Sequence, residues 1–270
     1  MSDTKINILV SFAYINDQMA QLLQNAVKKI CLVLDSGAFT NFNTDKKITL
    51  EMYCDFLKNT NIKPWRYFTF DVIGDTQKTK KNYYKMLERG FSPIPIFTRG
   101  ENIKQIDEYY QTSDVVGLGG LVYKNKNKNW LKFVMNYVKE RKVHWLGFTQ
   151  NNFLKFYKPY MADSSMWNIG SKFGTCPVYI PEKGKMVLIS RKNIKEDLNN
   201  YLVLKNLKKN GINPLEFFKE KSWYGSDTLV RRLGALSMVS FSIDCEKKIN
   251  TKLFSVVCNK REAQLILNSV

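Results

Sequence analysis

Three aspartates stand directly after short apolar runs: Asp35 after ICLVL, Asp71 after RYFTF, and Asp163 after a run around Met161. A carboxyl can serve as nucleophile, general acid or general base. Several gathered at one mouth repel one another, which raises at least one pKa and makes an acid/base pair. Asp35 opens the turn Asp35-Ser36-Gly37-Ala38-Phe39-Thr40, small and flexible enough for a ligand to approach the backbone. Asp71-Val72-Ile73-Gly74-Asp75 adds a second acid four residues on, and Asp75 itself suits the N-cap of a helix starting near Thr76. Asp163 is followed by Ser164-Ser165-Met166-Trp167, which supply two hydroxyls and an aromatic ring for contacts to a ligand. Gly117-Leu118-Gly119-Gly120-Leu121 bares backbone N–H and C=O groups that can bond a planar ligand edge. Taken singly, each segment is an ordinary capped turn or glycine turn. Their recurrence at strand ends makes them a candidate site.

The elements that must position these residues follow from the hydrophobic periodicity. Strand-like runs recur at Ile6 to Phe12, Ile30 to Leu34, Arg66 to Phe70, Ser92 to Phe97, Val115 to Leu118, Val143 to Phe148 and around Met161. Amphipathic helical stretches lie between them, at Asp17 to Lys29, Leu50 to Asn59, Thr76 to Arg89, Asn102 to Gln111, Trp130 to Arg141 and Asn152 to Lys158. Regular alternation specifies an α/β protein with a parallel sheet, whose loops after the strand C-termini converge on one face. Seven strands in a row favour a closed (β/α)8 TIM-type barrel, although an open doubly wound sheet would give nearly the same pattern. One domain over residues 1–270 is expected. After Asp163 the rhythm fails: residues 164–191 hold three glycines, two prolines and no clear helix, and predict a loop-rich insertion after the seventh strand. Helical segments return near Ile194 to Lys209 and Asp227 to Phe241.

The 270 residues carry 42 Lys and Arg against 24 Asp and Glu, a formal charge of +18 that would concentrate a polyanion. Nucleic acid is the partner this charge suggests, while a Lys- and Asn-rich genome bias with merely solvated lysines is the alternative. Candidate phosphate contacts are Lys124, Lys126 and Lys128 beside the glycine loop, and Lys172, Lys183, Lys185, Arg191 and Lys192 after Asp163. Five scattered cysteines, with no CxxC pair, read as reduced thiols, and a single histidine, His144, leaves no zinc-spaced cluster. No metal or other cofactor is expected. Without a run of about 18 apolar residues or an export-type start, the chain is expected in the cytoplasm and off the membrane.

The same segments resemble a known family. DSGAF resembles the DSGGFQ segment of tRNA-guanine transglycosylases, and GLGGL resembles their glycine-rich base-recognition loop, in the same order along the chain. Together VLDSGAF, FDVIGD, PIPIF, GLGGL, HWLGFT and ADSSMW are closest to the DpdA-like phage enzymes that insert 7-deazaguanines into DNA, over roughly Leu9 to Trp167. The resemblance implies Asp163 as nucleophile, Asp35 as acid/base, Asp71 as acceptor for the guanine edge, and Gly119 and Gly120 as backbone contacts to the base. It further implies base exchange on DNA, with a free 7-deazaguanine as co-substrate. Ser36, Phe39, Ser164 and Trp167 would surround the nucleotide, and Phe39, Phe97 and Trp167 are candidates to replace the stacking lost by an extruded base. The tRNA enzymes carry a Cys-rich zinc site and a glutamine after the fourth strand, whereas here Phe97-Thr98-Arg99-Gly100 fills that turn and no zinc cluster exists. Exchange on tRNA and a catalytically idle nucleic-acid-binding barrel remain the rivals, and self-association is left open.

Overall fold

A computed structural model describes residues 5–121, 127–225 and 228–269; Lys124 and Lys126 of the expected phosphate contacts lie outside them. The chain opens with β1 (Ile6–Ser11), α1 (Asp17–Asn25), β2 (Ile30–Asp35), α2 (Ala38–Asn43), α3 (Leu50–Asn59), β3 (Arg66–Tyr67) and α4 (Thr76–Glu88). It continues through β4 (Ile96–Phe97), α5 (Gln105–Tyr110), β5 (Val116–Leu118), α6 (Asn127–Val138), β6 (Val143–Trp145), α7 (Asn151–Tyr157) and β7 (Met161–Ser164). Local chemistry explains the boundaries. All six residues of β1 are buried, the signature of a parallel strand covered on both faces. Asn16, Thr49 and Asp75 each accept a hydrogen bond from a first-turn N–H, so α1, α3 and α4 start where a capping side chain stands.

Beyond β7 come α8 (Met166–Ile169), β8 (Thr175–Ile180), β9 (Lys185–Ser190), α9 (Ile194–Leu198), α10 (Tyr201–Lys209), α11 (Leu229–Ile249), β10 (Lys252–Val257) and α12 (Lys260–Leu267). The stretch 164–191, expected as a loop-rich insertion, holds an antiparallel hairpin, with Thr175 opposite Ser190 and Ile180 opposite Lys185. The helical pattern over 194–209 is two helices, because the Asn200 side chain caps a new start by accepting from Leu202 and Val203 N–H. Hairpin, α9 and α10 bury an apolar cluster of their own, including Cys176, Val178, Ile189, Leu207, Phe217 and Trp223, against the start of α11.

Eight strands form one all-parallel sheet in the order β3-β2-β1-β10-β7-β6-β5-β4. This is chain order read around a ring, with β10 between β1 and β7 as an eighth strand that the periodicity did not announce. The sheet curls, and next to its edge strands β3 and β4 Phe68 and Ile94 form an isolated parallel bridge, Thr69 N–H donating to Ile94 O at 2.9 Å and Ile94 N–H to Tyr67 O at 2.8 Å. The architecture is an α/β, TIM-barrel-like arrangement of eight parallel strands alternating with helices. Leu9, Val33, Phe68, Ile96, Met161 and Phe254 pack within the curl, while a larger layer joins the sheet to the helices. No described helix is long and apolar enough to cross a membrane.

Candidate active site

Side chains alternate along a strand, so residues two positions apart point the same way. Leu9, Val33 and Met161 face the inside of the curl; two residues further on stand Ser11, Asp35 and Asp163, at the C-terminal ends of β1, β2 and β7. This parity places the acids at the mouth rather than among the helices. The charges of Asp71 and Asp163 both raise the pKa of Asp35, which brings the three carboxyls into one electrostatic neighbourhood. None of the three forms an ion pair with a lysine or arginine among the described residues.

Asp35 is aimed by the turn that follows it. Gly37 sits at φ +92°, and a Cβ there would come within 3.0 Å of Ile48 Cδ1 and 3.2 Å of Ala13 Cβ. Glycine alone satisfies both constraints without displacement, and its N–H donates to Asp35 Oδ2 at 2.9 Å. Burial is the main force that pushes the Asp35 carboxyl up to about 6; Asp71 and Asp163 add to the rise, and the Gly37 N–H and the neighbouring Ser11 hydroxyl oppose it. Ser11 lies opposite Asp35 in the β1–β2 register and is buried, but its hydroxyl makes no bond of full hydrogen-bond geometry. Its influence on Asp35 is that of a nearby dipole.

Asp71 follows β3 and is held by Thr79, whose hydroxyl lies 2.8 Å from Asp71 Oδ1 and accepts from Val72 N–H at 2.9 Å. Burial raises its pKa as well, against the hydrogen bonds from Thr79 and Val72. Ser36 is fully buried, and its hydroxyl accepts from Asp71 N–H at 3.3 Å. It ties the ends of β2 and β3 together and offers no surface to a substrate.

Asp163 is buried and receives two hydrogen bonds on the same oxygen: Nε2 of His144 lies 2.7 Å from Oδ1, and Gly147 N–H donates to Oδ1 at 3.1 Å. His144, on β6, is completely enclosed; the edge of its ring meets Phe68 at 4.8 Å between centroids, and Phe254 lies 6.3 Å away. This histidine is the candidate site residue that reasoning from acids and glycines missed. Its signal was present as a polar residue in VHWL, two positions before Leu146 and hence on the inward parity.

The remaining expected contacts divide. Phe39, four residues after Asp35, is 61% exposed. Trp167, in contrast, is 1% exposed with its indole N–H bonded to Val256 O at 2.9 Å, and Phe97 is buried and stacked on Trp130 at 6.0 Å. Both rings belong to the core and cannot stack on a base. Ser164 is buried and accepts from Met166 N–H at 3.1 Å, so its hydroxyl shapes the turn after β7. Gly119 N–H bonds Phe97 O at 2.9 Å, leaving its carbonyl as the group that can face a ligand; a Cβ there would strike Thr98 Cγ2 at 2.8 Å. Gly120 is exposed at φ +71°. After β4, Glu101 adds a fourth acid close to the mouth, but its carboxylate accepts from Thr98 N–H at 2.7 Å and is spent on the turn.

Among the basic residues, Lys172, Lys183, Lys185, Arg191 and Lys192 are exposed and Lys128 is half-buried. Lys172 and Asp35 both act electrostatically on Cys258, which puts Lys172 on the same side of the sheet as that acid. Arg191 is engaged, lying 5.0 Å over the Tyr224 ring and 3.3 Å from Glu220. A cleft of about 710 Å³ opens at the opposite end of the sheet, beside Lys5, Lys63, Trp65 and Lys252, remote from the three acids by strand polarity. Among the described residues no three His, Cys, Asp or Glu side chains converge as a metal site. No protein family, curated protein or solved structure matches the chain.

Proposed function

We propose that the chain is a closed (β/α)8 barrel of one domain, with the segment between the seventh and eighth strands as an insertion, and that it exchanges guanine in DNA for a 7-deazaguanine. The observation that carries this proposal is the meeting of three carboxyls with no cation paired to them among the described residues, one pushed up to about 6 and another gripped by two donors. The ordered resemblance to DpdA-like transglycosylases supplies the substrate class.

Asp163 attacks C1′ through an oxocarbenium-like transition state, the C1′–N9 bond breaks, and Asp35 gives its proton to the departing guanine. The product is an aspartyl-glycosyl ester. The incoming base then yields its N9 proton to Asp35, N9 attacks C1′, and the Asp163 carboxylate leaves, so configuration at C1′ is retained. A carboxyl titrating near 6 suits both directions of this shuttle at cytoplasmic pH. Asp71 accepts from the guanine edge, the Gly119 and Gly120 backbone borders the base, and Phe39 covers it. The net charge of +18 holds the polymer, with Lys172 among the exposed cations that contact its phosphates.

The test is mass spectrometry of nucleosides after incubating the protein with candidate 7-deazaguanines and either DNA or tRNA. Deazaguanosine appearing in DNA supports the proposal. Its appearance in tRNA alone moves the substrate to the rival polymer, and no exchange in either removes the enzyme.

A further inference from the structure

Both hydrogen bonds that Asp163 receives from the described residues fall on Oδ1, from Nε2 of His144 at 2.7 Å and from Gly147 N–H at 3.1 Å, and none of theirs falls on Oδ2. The other ring nitrogen of His144, Nδ1, is buried with no hydrogen-bond partner among the described residues, and Phe68 and Phe254 pack against the ring. A carboxylate offers only acceptors, so Nε2 must carry the proton that points at Oδ1. Resting on the exchange reaction proposed above, we infer that Oδ2 of Asp163 is the oxygen that bonds to C1′, and that His144 is the positioning residue that reserves it by locking Oδ1.

The chemistry of the two steps gives the lock a second effect. When Oδ2 takes C1′, Oδ1 becomes the carbonyl oxygen of an ester, and its negative charge is lost. Hydrogen bonds to a charged acceptor are stronger than those to a neutral carbonyl. The His144 and Gly147 donors therefore favour the free carboxylate over the ester, and ease the release of Asp163 when the incoming base attacks. The opposing consequence, a mildly less reactive nucleophile, is offset by holding Oδ2 in one direction instead of letting the carboxyl rotate.

The measurement is the concentration of free guanine that discharges half of a preformed glycosyl-enzyme on a DNA oligonucleotide. In His144→Phe, which keeps an aromatic ring but no donor, the ester is relatively favoured, and about tenfold more guanine is needed. His144→Gln places an amide N–H near the position of Nε2 and returns the midpoint most of the way to wild type. A folded His144→Phe with an unmoved midpoint overturns the lock, because loss of a merely structural ring would lower the amount of active protein without shifting this equilibrium. A readout independent of activity comes from the chain's single histidine. Nitrogen-15 histidine labelling gives one imidazole, expected with its proton on Nε2 and a bare Nδ1; a proton on Nδ1 alone overturns the positioning role. Failure of wild-type protein to form any adduct overturns the transglycosylase proposal and C1′ attack with it, while the nitrogen spectrum still decides whether His144 donates to Asp163.

Discussion

The two ends of the curled sheet treat charge in opposite ways. At the N-terminal end Arg66 grips Asp114 through both guanidinium nitrogens, at 2.7 and 2.9 Å, Lys142 adds a contact at 3.4 Å, and Lys252 pairs with Glu246. Asp114 and Glu246 each have a cation, and Asp114 is held below the usual carboxylate range, with Arg66 and Lys142 outweighing the effect of burial. At the C-terminal end Asp35, Asp71 and Asp163 gather with only a buried imidazole and backbone or hydroxyl donors for company, and the first two are raised. The first arrangement is what a surface does for stability and solubility. The second is tolerated at a cost to stability, the kind of tension that the proton-handling site proposed above would use.

Four substitutions break or sharpen this contrast. The largest effect is expected from Asp163→Asn, which keeps the shape and removes the nucleophile: adduct formation, followed by mass spectrometry of the protein on DNA, should fall at least about 10³-fold while binding largely survives. An adduct still forming at the wild-type rate, or mapping to Asp35, reverses the assigned roles. Asp35→Asn should slow exchange by about 10²–10⁴ in a guanine-release assay. The same change should raise stability to urea at pH 7, by on the order of 2 kcal/mol once the carboxyl's partly open side is discounted. The sign follows from proton linkage: with its folded pKa near 6 against about 4 unfolded, Asp35 binds its proton more tightly in the folded state. Wild-type stability should therefore decline between pH 4 and 6 through this group, and Asp35→Asn should flatten that decline in urea melts taken across the window.

Gly37→Ala is expected to lower stability by about 1–2 kcal/mol in thermal denaturation, because φ +92° and the Ile48 contact both oppose a methyl group. It should also slow exchange more than its stability loss explains, since the Gly37 N–H aims Asp35. The smallest effect belongs to the other end: Asp114→Asn weakens a partly exposed pair and should change stability by less than about 1 kcal/mol and exchange not at all. A large loss of exchange in Asp114→Asn would show that the two ends are coupled.

Much of the frame was legible because its determinants are local. Apolar runs, capping residues such as Asp75 and the alternation of elements are written within a few residues of where they act, so β1 through β7 and the helices between them, apart from the short α2 after Asp35, stand close to their expected positions. The acids at strand ends could be read for the same reason, as could the glycine that turns the chain after Asp35. What lay beyond the sequence depended on partners distant along the chain. KLFSVV becomes the eighth strand only because β1 and β7 leave a place between them, at the end of a long helix that carries the chain back to the sheet. Trp167 and Phe97 look like stacking rings until Val256 and Trp130 enclose them, and Ser36 looks like a ligand contact until the end of β3 claims its hydroxyl. His144 acquires a role only when β6 and β7 lie side by side with His144 opposite Met161, which places the imidazole within reach of the carboxyl two residues further on. Residue type and periodicity decided that carboxyls would end these strands; strand register and burial, which exist only once the sheet has curled, decided which oxygen of which carboxyl is held and which is left free.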